Sequence, residues 1–230
     1  MGGQACVFYG AAEFSRDTDF AFLATSANMA RLRQALGDLQ AVLIDVPPFE
    51  TGHLRAGHAV HFRCQAPGAQ GLRIDIMARM RGVDPFSKLW ARRTSIALPD
   101  GTICNLLSLP DLVRAKKTQR DKDWPMLRRL VEVNFFENQE RPRRAQIAFW
   151  LCELRTPELL INLARRFPSA TKRASKDRPL LEHALAAKLE VLNSALRAEE
   201  DSERAADRAY WQPLKKELEI LRHAAKPSTG

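Results

Sequence analysis

The feature that most limits how this chain folds is a change of hydrophobic period at Ser108. Upstream, short apolar runs alternate with helix-patterned segments; downstream only the helical repeat remains. After Gly2-Gly3, QACVFYGAA reads as a short helix and DFAFLA (19–24) as a strand. ANMARLRQALGDL (27–39) is a helix with Met29, Leu32, Leu36 and Leu39 at helical spacing. AVLIDV (41–46) is a strand stopped by Pro47-Pro48, because proline donates no ladder hydrogen bond. HAVHFRC (58–64) and LRIDIM (72–77) are strands around a PGAQG turn, and DPFSKLWARR (84–93) is a short helix. TSIALPDGTICNLL follows as a hairpin turning at Pro99-Asp100-Gly101.

Ser108 is the right residue to cap a helix LPDLVRAKKTQ, with Pro110 and Asp111 in its first turn. A second helix is expected over about 123–138. Four further amphipathic segments begin at RPRRAQ, PELLIN, PLLEHA and SERAAD. The fold class is therefore α+β: a mixed sheet flanked by helices over residues 1–138, then a helical region over 139–225. The polar stretch ENQERPRR marks the boundary, and the tail at 226–230 is expected to be disordered.

Hydrophobic residues at 45% and charged residues at 27% of 230 are those of an ordinary globular chain. No apolar run approaches the ~20 residues that span a bilayer, so no membrane association is expected. The opening MGGQACVFYG lacks a basic segment followed by a long apolar core, which leaves a cytoplasmic location as the expectation. Cys6, Cys64, Cys104 and Cys152 contain no CxxC pair and read as buried free thiols rather than a zinc or disulfide framework. Trp90, Trp124, Trp150 and Trp211 read as core or domain-interface residues. A net charge of +9 favours polyanionic partners. The excess is concentrated: residues 141–178 carry ten Lys or Arg against three Asp or Glu, residues 179–230 eight against nine.

Asp17 and Asp19 raise an electrostatic question at the mouth of the first apolar strand. Strand side chains alternate, so both carboxylates face one side, where they repel unless a positive charge lies between them. Asp75 is a third acid, alone in an apolar strand between Ile74 and Ile76. If the two strands are neighbours, three carboxylates converge, and such hard oxygen donors suit Mg²⁺ or Mn²⁺ shared with substrate phosphates. Gly2-Gly3, opening a helix, would let the backbone approach a phosphate. The plainer readings are a solvated turn for Asp17 and Asp19, and a partner in Arg73 or Arg79 for Asp75.

The ordered set MGG, thirteen residues, DTDF, then IDIM resembles the minimal nucleotidyltransferase superfamily, of DNA polymerase beta-like type. Its pattern is a Gly-Gly or Gly-Ser pair, Asp-x-Asp or Asp-x-Glu, and a third Asp on a later strand. LSLPDLVRAKKTQRDKD is similar to the closing helix of many bacterial members. The resemblance covers about residues 1–135; members usually carry an apolar residue where Thr18 stands, and a helix and strand before the glycine pair. It implies a nucleotidyltransferase-like sheet and a magnesium-dependent transferase that moves an NMP from an NTP to a hydroxyl. Asp17, Asp19 and Asp75 would hold Mg²⁺ or Mn²⁺ and carry catalysis, Asp75 helping to deprotonate the acceptor. Gly2, Gly3, Lys116, Lys117 and Lys122 would contact the nucleotide, Lys116 above the other two. The acceptor would be a small molecule, a protein or an RNA, as in toxin–antitoxin and defence members of the superfamily.

Two readings compete with parts of this. Lys116 and Lys117 also suit the wet face of a helix, and Asp121-Lys122-Asp123 a charged helix start. Arg141, Arg143, Arg144, Arg165, Arg166, Lys172, Arg173 and Lys176 suit either a phosphate backbone or ordinary solvated helix faces. On the first choice the chain is an inactive nucleotidyltransferase-fold module that binds nucleic acid or a protein through its basic helical half. His53, His58 and His61 are not expected to share a metal, because His58 and His61 face opposite sides of one strand.

Overall fold

A computed structural model describes residues 1–225, which carry a mixed α+β architecture with a small mixed sheet and a C-terminal helix. The tail expectation at 226–230 lies outside the described residues. Packing divides the described residues into two units: 1–115 with 209–225, and 116–208. The polar stretch ENQERPRR, where the sequence suggested a boundary near 138, connects two helices of the second unit.

The first unit runs α1 (Gly2–Phe8), β1 (Asp17–Ala21), α2 (Ser26–Asp38), β2 (Val42–Leu43), α3 (Thr51–Ala56), β3 (Val60–Arg63) and β4 (Arg73–Met77). It continues with α4 (Phe86–Ala91), β5 (Thr94–Ala97), β6 (Ile103–Leu106) and α5 (Leu109–Ala115). One sheet has the order β1-β4-β3-β2, with β1 parallel to β4 and the other pairs antiparallel; β5 and β6 form a separate hairpin. Alternation along β4 buries Ile74 and Ile76 in a core with Met29, Leu36, Leu54 and Phe62, while Arg73, Asp75 and Met77 take the other face. The Thr25 hydroxyl caps α2 by accepting from the Asn28 N–H at 3.3 Å.

Two expected elements are shorter. β2 keeps only Val42 and Leu43, although the Ile44 N–H still donates to the His61 carbonyl. α5 stops at Ala115 rather than running through the two lysines. Its cap is the expected Ser108, whose hydroxyl donates to Asp111 at 2.7 Å. Asp111 is fully buried because Arg92 grips it through two bonds of 2.6 Å, tying α4 to α5. The Asp of LSLPDL is thus a structural counter-ion.

The second unit holds α6 (Asp123–Asn138), α7 (Arg144–Glu153), α8 (Pro157–Arg166), α9 (Pro168–Ala174) and α10 (Leu181–Leu185). α11 (Leu189–Ala225) begins here and its residues from Ala209 belong to the first unit. α3 and α9 have no counterpart in the sequence expectations. At 6 and 7 residues they are too short to show a period, and their usable signals were Gly57 after α3 and Pro168 opening α9. Of the two segments expected at the C-terminal end, the first breaks after α10, and its remainder from Leu189 joins the second in one helix, since no residue near position 201 stops it; that helix also runs through Pro213.

Trp124 and Trp150 are buried as expected, Trp211 is half-buried, and Trp90 is exposed. Among the described residues the four cysteines form no disulfide, but only Cys6 and Cys64 are buried; Cys104 is half-buried and Cys152 exposed. No described helix is long and apolar enough to cross a membrane.

Candidate metal and phosphate site on strands β1 and β4

β1 begins at Asp17, so both aspartates are strand residues rather than parts of a wet turn. Parallel pairing sets Asp17 opposite Arg73 and Asp19 opposite Asp75, and antiparallel pairing sets His61 opposite Asp75. Partners in register share a face. Across one face of the sheet, therefore, run two rows: Asp17–Arg73–Arg63, and Asp19–Asp75–His61. The strands bearing Asp19 and Asp75 are thus neighbours, the arrangement on which the expected convergence of the three carboxylates depends.

What lies among them is protein. Arg73 Nε donates to Asp75 Oδ1 at 2.8 Å, and His61 Nδ1 bonds the same oxygen at 2.8 Å. Arg73 Nη2 lies 3.1 Å from His61 Nδ1, closing a triangle of three groups. Burial alone would push the Asp75 carboxyl up, but the bonds from His61 and Arg73 outweigh it and hold the group below the usual carboxylate range. Arg73 responds in kind: its bond to Asp75, reinforced by the fields of Asp17 and Asp19, holds the guanidinium more firmly protonated despite partial burial. The plainer reading of Asp75, a partner in Arg73, is what the side chains adopt. Sequence reasoning missed His61; its signal was a histidine two strands from Asp19 at a matching register position, visible only once strand order is known.

The glycine pair has a local role. Gly2 has φ +67°, and a Cβ there would lie 1.7 Å from Asp19 Oδ2. At Gly3 a Cβ would lie 2.3 Å from the Ser15 hydroxyl. The start of α1 thus rests directly on the Asp19 carboxylate, and the Met1 amino group donates to the Asp19 carbonyl at 2.7 Å. At the other end of α1, the Tyr9 hydroxyl bonds the Leu107 carbonyl and Thr94, both at 2.8 Å. Gly2→Ala is expected to destabilise the chain by about 1–3 kcal/mol through its backbone conformation and the displaced carboxylate. Gly37→Ala, in α2 with nothing within 4 Å of the new methyl, is expected to stabilise it by about 0.5–1 kcal/mol. Urea midpoints of the two variants check the contrast, and equal shifts would remove it.

The three expected lysines belong to the second unit. Lys116 Nζ lies 3.1 Å from Asp123 Oδ1, which pairs the lysine and the aspartate of the family-like K…KD stretch with each other. Asp123 is buried, not a solvated helix start: it also accepts from Thr118 at 2.6 Å and Arg120 at 2.7 Å. Lys117 lies 2.8 Å from Glu153, and neither it nor Lys116 stands on a wet face, with side chains 15% and 12% exposed. Lys122 is exposed at the start of α6. His58 lies outside β3, buried and 2.7 Å from Glu217, while His61 serves Asp75; the two share no site.

Among the described residues, no three His, Cys, Asp or Glu side chains form a ready cluster for a metal ion. The donor chemistry nonetheless suits Mg²⁺ or Mn²⁺. Three carboxylates occupy one face, and both bonds to Asp75 fall on Oδ1, so that Oδ2 is outside them. Beside β1 a shallow pocket is lined by Phe20, Phe86, Leu89, Trp90, Arg93 and Asn105. Comparison with family models, with curated proteins and with solved structures returned no match.

Proposed function

We propose that this protein is a metal-dependent nucleotidyltransferase that moves a nucleoside monophosphate from an NTP to an acceptor hydroxyl. The observation that carries the reading is the pairing of Asp19 with Asp75 on adjacent parallel strands, with Asp17 on the same face. A divalent ion bound by Asp17, Asp19 and Asp75 would offset the charge of the triphosphate and of the departing pyrophosphate. The chain's own residues do the rest. Asp75, fixed in place by Arg73 and His61, is the carboxylate that would take the proton from the acceptor hydroxyl. Gly2 gives α1 its close seat on Asp19 and so fixes where that carboxylate points. The pocket lined by Phe20, Trp90 and Arg93 offers a surface on which a planar group could stack. An RNA, a protein or a small molecule supplies the hydroxyl, in a cytoplasmic setting where NTPs are made.

The test is incubation of the full chain with Mg²⁺ and each of the NTPs radiolabelled at the α-phosphate, together with cellular RNA, protein and small-molecule fractions. Label is expected to move to one fraction, and Asp17→Asn and Asp19→Asn are each expected to lower the rate at least about a hundredfold. Label that moves equally well in both variants would discard the carboxylate site.

A second reading has its own observation. Arg141, Arg143, Arg144, Arg165, Arg166, Lys172, Arg173 and Lys176 are all exposed, whereas the stretch's other two arginines, Arg155 and Arg178, are buried. A helical unit with that surface suits a polyanion. RNA binding that weakens steeply with salt, with no transfer of label, would favour a binding module instead.

A further inference from the structure

Resting on the nucleotidyltransferase reading, we propose that Arg73 is a placeholder cation: it occupies Asp75 while the site is without metal and nucleotide, and passes to the nucleotide's phosphates when a divalent ion takes the carboxylates. The argument starts from charge. Asp17, Asp19 and Asp75 put three negative groups on one face of two strands, and Arg73 stands in the same rows, opposite Asp17 and bonded to Asp75 Oδ1 at 2.8 Å. A guanidinium there answers the same repulsion that a bound metal would answer.

The two cations compete. A divalent ion on these carboxylates repels the guanidinium and weakens its hold on Asp75, while a triphosphate beside the ion offers Arg73 a stronger, geometrically matched partner. Arg73 is built for such an exchange. Its side chain is 39% exposed against 13% for Asp75, so the long arm can leave while the carboxylate stays. His61 keeps its own bond to Asp75 and holds that group in place. The consequence is coupling: metal alone binds weakly because it must displace Arg73, and metal with nucleotide binds well because Arg73 has somewhere to go.

Mn²⁺ titration of the full chain, followed by the electron paramagnetic resonance of free Mn²⁺, reads this without turnover. The measurement is made with and without the nonhydrolysable α,β-methylene analogue of ATP. Arg73→Gln is expected to bind Mn²⁺ alone about tenfold more tightly than the parent, as one competing charge is removed. The same variant is expected to lose about tenfold in binding of the analogue with Mn²⁺, for want of its phosphate partner. Arg73→Lys keeps the charge and is expected to bind Mn²⁺ alone as weakly as the parent. Thermal melts establish that both variants are folded; the exposure of Arg73 favours this. If the parent binds Mn²⁺ and Arg73→Gln binds it no more tightly, the placeholder role is overturned while the metal site stands. If neither protein binds Mn²⁺ at millimolar concentration, with or without the analogue, the carboxylate site falls and Arg73's role with it.

Discussion

Glu199→Ala is expected to destabilise the helical unit by about 3–5 kcal/mol, because it strands two buried guanidinium groups at once. Arg155 and Arg178 are 5% and 7% exposed. Arg178 grips Glu199 with two bonds, Nε to Oε1 at 2.9 Å and Nη2 to Oε2 at 2.8 Å, and also donates to the Leu151 and Leu154 carbonyls. Arg155 meets the same carboxylate at 3.2 Å and lies over the Trp124 ring at 4.7 Å. Among the described residues no other acid bonds Arg178, so removing Glu199 leaves its charge in a protein environment with only carbonyl partners. Burial alone would raise the Glu199 carboxyl, but Arg178 and Arg155 outweigh it and hold the group below its ordinary value. A depressed carboxylate contributes stability that is fully present above its unfolded pKa, about 4.3, and is lost as pH falls through the folded value. Urea unfolding of parent and variant from neutral pH down through that range is the measurement. The parent is expected to lose stability on acidification, and the gap between the two proteins is expected to narrow. A gap that is small at neutral pH, or that widens in acid, would contradict the role assigned to Glu199.

Trp150→Ala is expected to cost about 3–5 kcal/mol, the range for truncating a large buried aromatic side chain. Trp150 is fully buried on α7, and its ring meets Phe135 of α6 edge-on at 5.0 Å. Its indole N–H donates to Asn134 Oδ1 at 3.0 Å. Two losses are therefore combined: the volume between α6 and α7, and the partner of a polar group beside the core. Trp150→Phe separates them. It restores most of the ring but not the donor, and is expected to cost about 1–3 kcal/mol from the unpaired Asn134 oxygen together with the smaller volume lost. Urea midpoints of the two variants read the difference. Equal costs would mean that the hydrogen bond carries most of the effect and the packing little.

Much of the local structure follows from residues near in sequence. α6 spans the expected residues, with Leu127, Leu130, Val131 and Phe135 buried at helical spacing, and Ser108 caps α5 because its hydroxyl reaches the first turn. The hairpin β5–β6 turns where Pro99-Asp100-Gly101 requires it, with Asp100 Oδ1 accepting from the Thr102 N–H at 2.9 Å. The period-two pattern of RIDIM was enough to put Asp75 on the face opposite Ile74 and Ile76. Failures came where a helix was too short to display a period, as in α3 and α9, or where no stop signal divided a long one, as in α11.

The candidate site divides along the same line. Sequence by itself determined that Asp17 and Asp19 share a face, that Asp75 stands among apolar neighbours, and that glycines open the first helix, because alternation and backbone freedom are properties of a few adjacent residues. Only the tertiary structure decided who neighbours whom. The order β1-β4-β3-β2 brings Asp19 beside Asp75 and carries His61 to it from a third strand. Packing turned Asp111 and Asp123 into buried counter-ions of Arg92 and Lys116, roles that a linear motif does not distinguish from phosphate binding. It also set Arg73 against Asp75, an interaction of residues two apart whose meaning comes from the third carboxylate, Asp17, that strand pairing places opposite. Strand register is a long-range choice made by the whole apolar core, and the charges on the other face take the neighbours that this choice assigns them.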